Sequence, residues 1–280
     1  MNSASETMSR RDAALAQYRE FGYAVIPDAL SQEDLAFLND LVESDIKKNP
    51  QDWHAPSHGA IGNGQILMRY PELDRFIRHP STFPILQEIL QGEARFAQVD
   101  FRDVPEDQAE SSAMNWHRDI SYYGTVGGKT WDPDNPYRST NACVIYYLKD
   151  VHECCPCFTL VPNSHEYVSM DAAKQGLGDK YEEIFFRGKA GTAILYNITE
   201  FHTRSSGTAS CTHGRRTLHN YHSRESQPPL TNWATVPESL ALSDDAETRA
   251  FYSKWTPNQI KVATATYKQP IPSYYPPVMG

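Results

Sequence analysis

Two residues separated by one position, His117 and Asp119, place the strongest constraint on how this chain can fold. Side chains alternate along an extended strand, so both residues are expected on the same face. A second histidine, His202, follows much later in the chain. If the three side chains bind one metal ion, two distant segments must lie side by side. The long gap between His117 and His202 is compatible with opposing strands of a β-barrel.

Two imidazoles and one carboxylate form the facial ligand set of non-haem Fe(II) oxygenases, which leaves three positions of an octahedral metal open. An H-x-D triplet alone is weak evidence, because it arises by chance in many chains. The alternative is structural: His117 and Asp119 would form a hydrogen-bonded pair, and His202 would be a core histidine. Other motifs in the chain therefore have to decide between the two interpretations.

Three further motifs accompany the triplet. A Pro162–Asn163–Ser164–His165 turn comes first, an apolar stretch at 191–196 then leads to His202, and the basic pair Arg215–Arg216 follows. With its opening at 18–38, YREFGYAVIPDALSQEDLAFL, the chain resembles the phytanoyl-CoA dioxygenase family of Fe(II)/2-oxoglutarate-dependent oxygenases. Asn163 replaces the glycine of that family's P-G-S-H turn, and asparagine tolerates the positive φ that such a turn needs.

The resemblance implies a mainly β fold with flanking helices. The expected architecture is a double-stranded β-helix, a cupin-like jelly roll, with N-terminal helices packed on the major sheet. We expect one domain over 1–280: a helical scaffold at 1–93, the jelly-roll core at 94–225 and a C-terminal wrap at 226–280. Apolar periodicity and turn residues predict helices at 9–21, 31–46, 80–90 and 246–255, and strands at 23–26, 94–102, 141–148, 157–161, 189–196 and 217–221.

The resemblance also implies the ligands of the site. His117, Asp119 and His202 would bind Fe(II) and be the catalytic residues, with 2-oxoglutarate and O2 in the open positions. The far carboxylate of 2-oxoglutarate needs a cation, and the planar fork of arginine suits it. Strand alternation sends Arg215 and Arg216 to opposite faces, and the family pattern favours Arg215, with Arg216 as the alternative. Further contacts to 2-oxoglutarate are expected from the side chains of Asn115 and Ser206.

The segment 120–139 follows the triplet without periodicity. It is expected to be a binding loop or lid, or equally a solvent-exposed insertion. Its aromatic residues and the tryptophan just before the triplet are the candidate substrate contacts: Tyr122, Tyr123, Trp131 and Trp116.

The resemblance implies oxidation of a small organic molecule with release of succinate and CO2. We expect a specialised metabolite that is hydroxylated, or else desaturated, epoxidised or cyclised. Halogenation is not expected, because halogenating relatives have a small residue in place of Asp119. Two alternatives stay open: a cupin-type metal barrel with isomerase or 2-oxoglutarate-independent dioxygenase activity, and a non-catalytic ligand-binding relative.

Composition limits the partners. The net charge of −9 and the lack of basic runs argue against a nucleic-acid partner. No stretch approaches the roughly 20 apolar residues of a membrane span, and the first eleven residues lack a signal-peptide segment. The cytoplasm is the expected location, and a homodimer with contacts from the C-terminal wrap stays open.

Five cysteines, three of them crowded between residues 154 and 157, make a poor disulfide framework. Reduced thiols are expected instead. The run at 152–157, HECCPC, also suggests zinc, but structural zinc normally needs two separated ligand pairs. Buried or turn cysteines at a strand boundary are the favoured interpretation.

Overall fold

Two antiparallel sheets form the body of the protein. The computed structural model describes residues 3–54, 60–92, 94–106, 115–120, 134–208, 210–224 and 236–252, with side chains from residue 10 onward. Within this part of the chain, a six-stranded sheet has the order β1-β7-β4-β9-β3-β2, and a three-stranded sheet has the order β6-β5-β8. The major sheet contains β1 (Tyr23–Ile26), β2 (Ile61–Asn63), β3 (Ala94–Val104), β4 (Asn141–Tyr147), β7 (Ala193–Asn197) and β9 (Arg215–Arg224). The minor sheet contains β5 (Phe158–Leu160), β6 (Ile184–Phe186) and β8 (His202–Arg204).

Seven α-helices accompany these sheets within the described residues. They are α1 (Ser3–Phe21), α2 (Gln32–Lys48), α3 (Asp74–Ile77), α4 (Phe83–Ile89), α5 (Met170–Leu177), α6 (Glu238–Ala241) and α7 (Ala246–Phe251). No helix among the described residues is long and apolar enough to cross a membrane. Mainly antiparallel sheets with helices on one side confirm the expected jelly-roll fold class.

Strand β4 is apolar throughout because both of its faces are buried. Ala142, Val144 and Tyr146 belong to a core cluster shared with the helices, whereas Cys143, Ile145 and Tyr147 belong to a second cluster between the two sheets. Because successive side chains point to opposite faces, a strand covered on both faces has no polar face. Helices α1, α2 and α4 cover the outer face of the major sheet.

Local signals set the helix ends as expected. Gly22, with φ of +75°, follows α1 and allows the turn into β1. Ser31 caps α2 in a capping box, in which its side chain accepts from the Asp34 amide and the Asp34 carboxylate accepts from the Ser31 amide. The turn at Gly22 leads into β1, which joins the N-terminal segment to the major sheet by pairing with β7.

Some predicted bounds differ from the structure. The helix expected from residue 80 begins at Phe83, and β3 and β9 extend further than expected. The strand β2 was not among the predicted strands, because its Ile–Gly–Asn sequence lacks a strand pattern. β2 is nevertheless held as an edge strand by pairing with β3. The division of 1–280 into scaffold, core and wrap stays a prediction.

Candidate active site

A cavity of about 340 Å³ lies between the two sheets. Its wall follows from strand alternation: every second residue of β3 and every second residue of β9 points inward. The two strands pair so that Asp100 lies opposite His219 and Arg102 lies opposite Thr217. The cavity is lined from β3 by Gln98, Asp100, Arg102 and Val104, from β9 by Arg215, Thr217, His219 and Tyr221, and from other segments by His54, His117, Asp119, Phe158, Tyr196, His202, Thr203 and Arg204, among others.

The three predicted metal ligands converge on this cavity. One ligand atom each from His117, Asp119 and His202 lies within 4.8 Å of the other two. The Nε2 atom of His117 is 3.8 Å from one carboxylate oxygen of Asp119, and Nε2 of His202 is 3.4 Å from the other. Two imidazoles and a carboxylate this close can share one divalent cation.

The local structure around His117 differs from the predicted strand. His117 forms only an isolated antiparallel bridge with His202, through two backbone hydrogen bonds of 3.0 Å. The amide of Asp119 donates to the carbonyl of Ile198 at 3.2 Å. The expected regular strand is therefore wrong, but these three hydrogen bonds still place both side chains toward His202.

Backbone carbonyls fix the orientation of both imidazoles. Nδ1 of His117 lies 2.8 Å from the carbonyl oxygen of Asn115, and Nδ1 of His202 lies 2.9 Å from the carbonyl oxygen of Glu200. Each Nδ1–H donates to its carbonyl, which leaves Nε2 as the metal-facing nitrogen. Asn115 thus serves the site through its backbone, whereas its exposed side chain lies outside the cavity wall.

Asp119 is held in its ionised form. Burial alone would raise its pKa, but the imidazoles of His202 and His117 and the guanidinium of Arg102 outweigh burial and lower the pKa of Asp119 to about 2. The hydroxyl of Tyr196 donates to Oδ2 of Asp119 at 3.0 Å. A carboxylate with one oxygen hydrogen-bonded in this way is oriented for metal binding.

The structure distinguishes the two candidate arginines. Arg215 lines the cavity and is 5% exposed, and its Nε has no hydrogen-bond partner among the described residues. Arg216 points to the other face, where its Nε donates to Asp103 at 2.9 Å and its guanidinium also contacts Glu43 and Asn39. Arg215 is thus placed to receive an anion inside the cavity, and Arg216 is part of the scaffold.

A family comparison agrees with this geometry. The family model described as phytanoyl-CoA dioxygenase (PhyH) matches residues 18–217, most of the chain. The chain belongs to the PhyH family. No curated protein matches its sequence significantly.

Solved structures share the fold of this PhyH chain. The carbocyclase SnoK from nogalamycin biosynthesis, described as non-haem and α-ketoglutarate-dependent, is 17% identical, with a TM-score of 0.62 over 78% of this chain and 85% of its own. The epimerase SnoN, in complex with Fe3+, α-ketoglutarate and nogalamycin RO, is 15% identical, with a TM-score of 0.63 over 85% and 90%. EctD from S. alaskensis, with 2-oxoglutarate and 5-hydroxyectoine, is 17% identical, with a TM-score of 0.60 over 77% and 76%. All of them confirm the jelly-roll fold.

The P-N-S-H turn of the PhyH chain anchors the segment that carries His202. Asn163 has φ of +58°, as the substitution for glycine requires. The fully buried carboxylate of Glu200 accepts from the hydroxyl of Ser164 at 3.0 Å and from the amide of His165 at 2.8 Å, and it lies 2.6 Å from Nδ1 of His165. The hydroxyl of Ser164 also accepts from the amide of Phe201. His165 is therefore a hydrogen-bonding residue of the turn and not a wall residue of the cavity.

Arg102 and Arg204 also line the cavity, although the sequence analysis did not select them. Arg102 donates from Nε to Asp100 at 2.7 Å; burial disfavours its charge, but Asp100 outweighs burial and raises the pKa of Arg102. Burial and the neighbouring guanidiniums of Arg215 and Arg102 lower the pKa of Arg204 to about 10, so Arg204 is charged at neutral pH. Strand alternation was the available signal, because Arg204 lies two residues after His202 and therefore on the same face.

His219 also lines the cavity and was not predicted. Its Nε2 is 3.0 Å from the hydroxyl of Thr217, while its Nδ1 has no hydrogen-bond partner among the described residues. Burial, with the guanidiniums of Arg102 and Arg215, lowers the pKa of His219 well below its usual value. The imidazole is therefore neutral at neutral pH and offers a polar atom that a ligand can satisfy.

The remaining predicted contacts lie elsewhere. Ser206 is exposed and outside the cavity wall, because the chain leaves β8 at Arg204 and turns outward. Its neighbour Ser205 is 3.2 Å from the sulfur of Cys157. Trp116 is half-buried and does not line the cavity, because alternation turns it away from His117. Tyr122, Tyr123 and Trp131 lie outside the described residues.

Proposed function

We propose that this PhyH member is an Fe(II)- and 2-oxoglutarate-dependent oxygenase. It uses O2 to oxidise a small organic molecule and releases succinate and CO2. The observation that carries the proposal is the convergence of two imidazole Nε2 atoms and one carboxylate on a buried cavity that also contains Arg215. A metal site and an anion site in one cavity are what this co-substrate requires, because it binds a metal at one end and carries a free carboxylate at the other.

The residues present fit Fe(II). His117, Asp119 and His202 would hold it as three ligands on one side, leaving the opposite side of the metal to the cavity. Both histidines are already fixed as donors from Nε2 by the carbonyls of Asn115 and Glu200. Hydrogen bonds that link the ligand side chains to these two carbonyls and to the Tyr196 hydroxyl would keep the ligand geometry during turnover.

The residues present also fit 2-oxoglutarate. Arg215 would bind its far carboxylate, since the guanidinium is buried and its Nε lacks a partner among the described residues. His219, with its unpartnered Nδ1, and Arg204 are further candidates to contact the co-substrate or substrate. When bound, Fe(II) and 2-oxoglutarate would supply the oxidising chemistry together with O2, which would oxidise 2-oxoglutarate to succinate and CO2 as well as oxidising the substrate.

Asp119 favours hydroxylation over halogenation. Its carboxylate, held ionised and oriented by Tyr196, would be the third protein ligand to the metal, where halogenating relatives would leave room for a halide. Phe158, Tyr196 and Tyr221 give the cavity wall an aromatic part against which a substrate would pack. Hydroxylation is the proposed outcome, and desaturation, epoxidation and ring closure are the alternatives that the same site can support.

The dimensions of the cavity favour a compact substrate. A volume of about 340 Å³ lies at the lower end of the roughly 300–1,000 Å³ usual for small-molecule sites, and the co-substrate fills part of it. A specialised metabolite is the proposed class. Support comes from structural relatives named for nogalamycin biosynthesis and from EctD with 5-hydroxyectoine.

The test is formation of succinate from 2-oxoglutarate by purified protein with Fe(II) in air, with no added substrate. Oxygenases of this kind turn over slowly in that state, so a rate above that of the protein-free control is expected. His117→Ala and His202→Ala should abolish it. His79→Gln is the matched control, because His79 lies outside the cavity wall and should leave the rate unchanged.

The same assay separates the two alternative functions. A cupin-type isomerase or 2-oxoglutarate-independent dioxygenase would bind the metal but form no succinate, and it would not depend on Arg215. A non-catalytic ligand-binding relative would form no succinate under any condition. Metal binding without succinate formation would therefore overturn the proposal.

A further inference from the structure

Three cysteine sulfurs meet at the second core cluster, at residues that do not line the cavity. One ligand atom each from Cys154, Cys155 and Cys211 lies within 4.8 Å of the other two. We propose that these three thiols bind a structural Zn²⁺ ion, with a histidine, His213 or His152, as the fourth ligand. The site is independent of the proposed oxygenase activity.

The structure supplies the second ligand pair that the sequence lacked. Cys154 and Cys155 lie on the turn that follows β4, and Cys211 and His213 lie on the loop that precedes β9. Structural zinc sites are usually built from two ligand pairs that meet in space, each contributed by a short segment. The spacing here is tighter than usual, because Cys154 and Cys155 are adjacent and one residue separates Cys211 from His213. The two pairs here are more than fifty residues apart, which is why the run at 152–157 alone did not identify the site.

The distances are compatible with a tetrahedral ion. Zinc–sulfur bonds of about 2.3 Å place two sulfurs of a tetrahedral site roughly 3.8 Å apart. The sulfurs of Cys211 and Cys155 are 3.6 Å apart. Those of Cys154 and Cys211 are 2.7 Å apart and would have to separate by about 1 Å on binding. Cys154 is only partly buried on its turn, which gives its side chain room for that movement.

Two histidines are available as the fourth ligand. The rings of His152 and His213 lie side by side with centroids 4.3 Å apart, and both side chains are exposed. The carbonyl of His213 accepts from the sulfurs of Cys155, at 3.7 Å, and Cys211, at 3.6 Å, which keeps this residue beside the thiols. The group within 4.8 Å contains only the three sulfurs, so one of these exposed rings would have to rotate toward them to become the fourth ligand. His213 is the first choice because it belongs to the same short segment as Cys211.

The site would join two segments that support the cavity. The loop at 205–214 connects β8, which carries His202, to β9, which begins with Arg215. Backbone hydrogen bonds already link the two segments: Thr208 donates to the carbonyl of Cys154, and Ser205 donates to the carbonyl of Cys157, both at 2.9 Å. A zinc ion would fix this connection, and with it the first residue of β9.

A disulfide between Cys154 and Cys211 is the competing state, since their sulfurs are the closest pair. It would need an oxidant and would leave Cys155 out. Three sulfurs and two neighbouring imidazoles favour a metal, because soft thiolates and imidazole are the donors that zinc prefers. The two states differ in measurable ways.

The experiment removes the oxygenase metal site first, so that zinc can only report on the cysteine cluster. Full-length protein with His117→Ala and Asp119→Ala is produced with added zinc, purified anaerobically and analysed for metal. One zinc ion per chain is expected. Adding Cys154→Ser and Cys211→Ser should remove it, whereas adding Cys157→Ser, the matched control outside the cluster, should leave the zinc content unchanged.

Replacement of zinc by Co²⁺ identifies the donors. Three thiolates should give a strong sulfur-to-cobalt charge-transfer band in the near ultraviolet, which a site of imidazole and carboxylate cannot produce. His213→Ala should alter the cobalt spectrum, and if His152→Ala alters it instead, His152 is the fourth ligand. Absence of zinc from the protein that retains the cysteines, absence of the band, or a Cys154–Cys211 disulfide found by mass spectrometry after anaerobic purification would overturn the proposal.

Discussion

Arg215 and Arg216 are neighbours in β9 whose guanidiniums lie on opposite sides of the major sheet. Arg215 enters the cavity between the sheets, whereas Arg216 contacts Asp103 and the α2 residues Asn39 and Glu43. Strand alternation causes this separation. The two residues therefore provide a matched pair of variants, one expected to affect co-substrate binding and the other to affect stability.

Arg215→Gln should raise the KM for 2-oxoglutarate and leave the fold intact. Losing charge-assisted hydrogen bonds costs about 2 to 3 kcal/mol, which corresponds to roughly a 30- to 150-fold increase. Initial rates of succinate formation at varied 2-oxoglutarate concentration measure the change. Arg215→Lys should restore only part of the affinity, because a lysine cannot form the paired hydrogen bonds.

Arg216→Gln should have the opposite profile. Removing its guanidinium leaves the nearly buried Asp103 without its cation, and breaking such a pair costs about 3 kcal/mol of unfolding free energy. Denaturant unfolding measures this loss, and the KM for 2-oxoglutarate should stay within about twofold of the wild-type value. If Arg216→Gln raised the KM and Arg215→Gln did not, the assignment of the anchor would be reversed.

Tyr196→Phe should weaken iron binding. The Tyr196 hydroxyl donates to Oδ2 of Asp119, and loss of such an outer contact typically costs about 10- to 100-fold in metal affinity. The iron concentration that gives half-maximal succinate formation measures the change. Tyr147→Phe is the control: its hydroxyl donates to the carbonyl of Phe186, away from the metal ligands, so iron affinity should not change.

Much of the fold was predictable because its signals are local. The apolar run of β4, the glycine after α1 and the Ser31 cap each specify an element from a few adjacent residues. The edge strand β2 was not predicted, because its Ile–Gly–Asn sequence has no strand pattern and is held only by pairing with β3. The secondary structure of such segments depends on tertiary pairing, which cannot be predicted from sequence periodicity.

In the candidate site, too, some residues could be predicted from the sequence and others could not. The arrangement of His117, Asp119 and His202 and the choice of Arg215 followed from motif order and strand alternation. The contact expected from Ser206 was wrong in placement, because nothing in the local sequence shows where the chain leaves β8. Convergence of the thiols could not be predicted either, since it depends on how the loop before β9 folds back on the turn after β4.

Stability should fall as the pH drops from about 6.5 to about 4. Burial lowers the pKa of His222 to about 4 from an unfolded value of 6.5, with only partial compensation from the carbonyl of Ile77. The unfolded chain therefore binds the proton first, so His222 contributes full stability above pH 6.5 and loses about 3 kcal/mol of it by pH 4. Denaturant unfolding across this range measures the slope.

His222→Gln should flatten that slope, because the amide can keep the hydrogen bond to Ile77 without binding a proton. The exposed residue His54 provides the control, and His54→Gln should leave the slope unchanged. An unchanged slope in His222→Gln would mean that other groups, such as the buried His219, account for the acid sensitivity.

Alanine substitutions at Gly22 and Gly92 should distinguish the energetic cost of backbone strain from the cost of a steric clash. Both have positive φ, +75° and +78°, but a Cβ on Gly22 would clash with Oε1 of Glu200, whereas a Cβ on Gly92 would have no atom within 4 Å. Gly92→Ala should therefore cost only the strain of the left-handed conformation, about 1 kcal/mol. Gly22→Ala should cost about 3 kcal/mol, because it also displaces the carboxylate that holds Ser164 and His165.

Displacement of Glu200 by the Gly22→Ala substitution should also affect the metal site. The carbonyl of Glu200 fixes the ring of His202, so Gly22→Ala should weaken iron binding in addition to lowering the free energy of unfolding. Gly92→Ala should leave iron binding unchanged. Denaturant unfolding and iron titration of both variants give the comparison. Equal effects of the two substitutions would show that Glu200 can move without disturbing its partners, and that the turn at 162–165 does not control the position of His202.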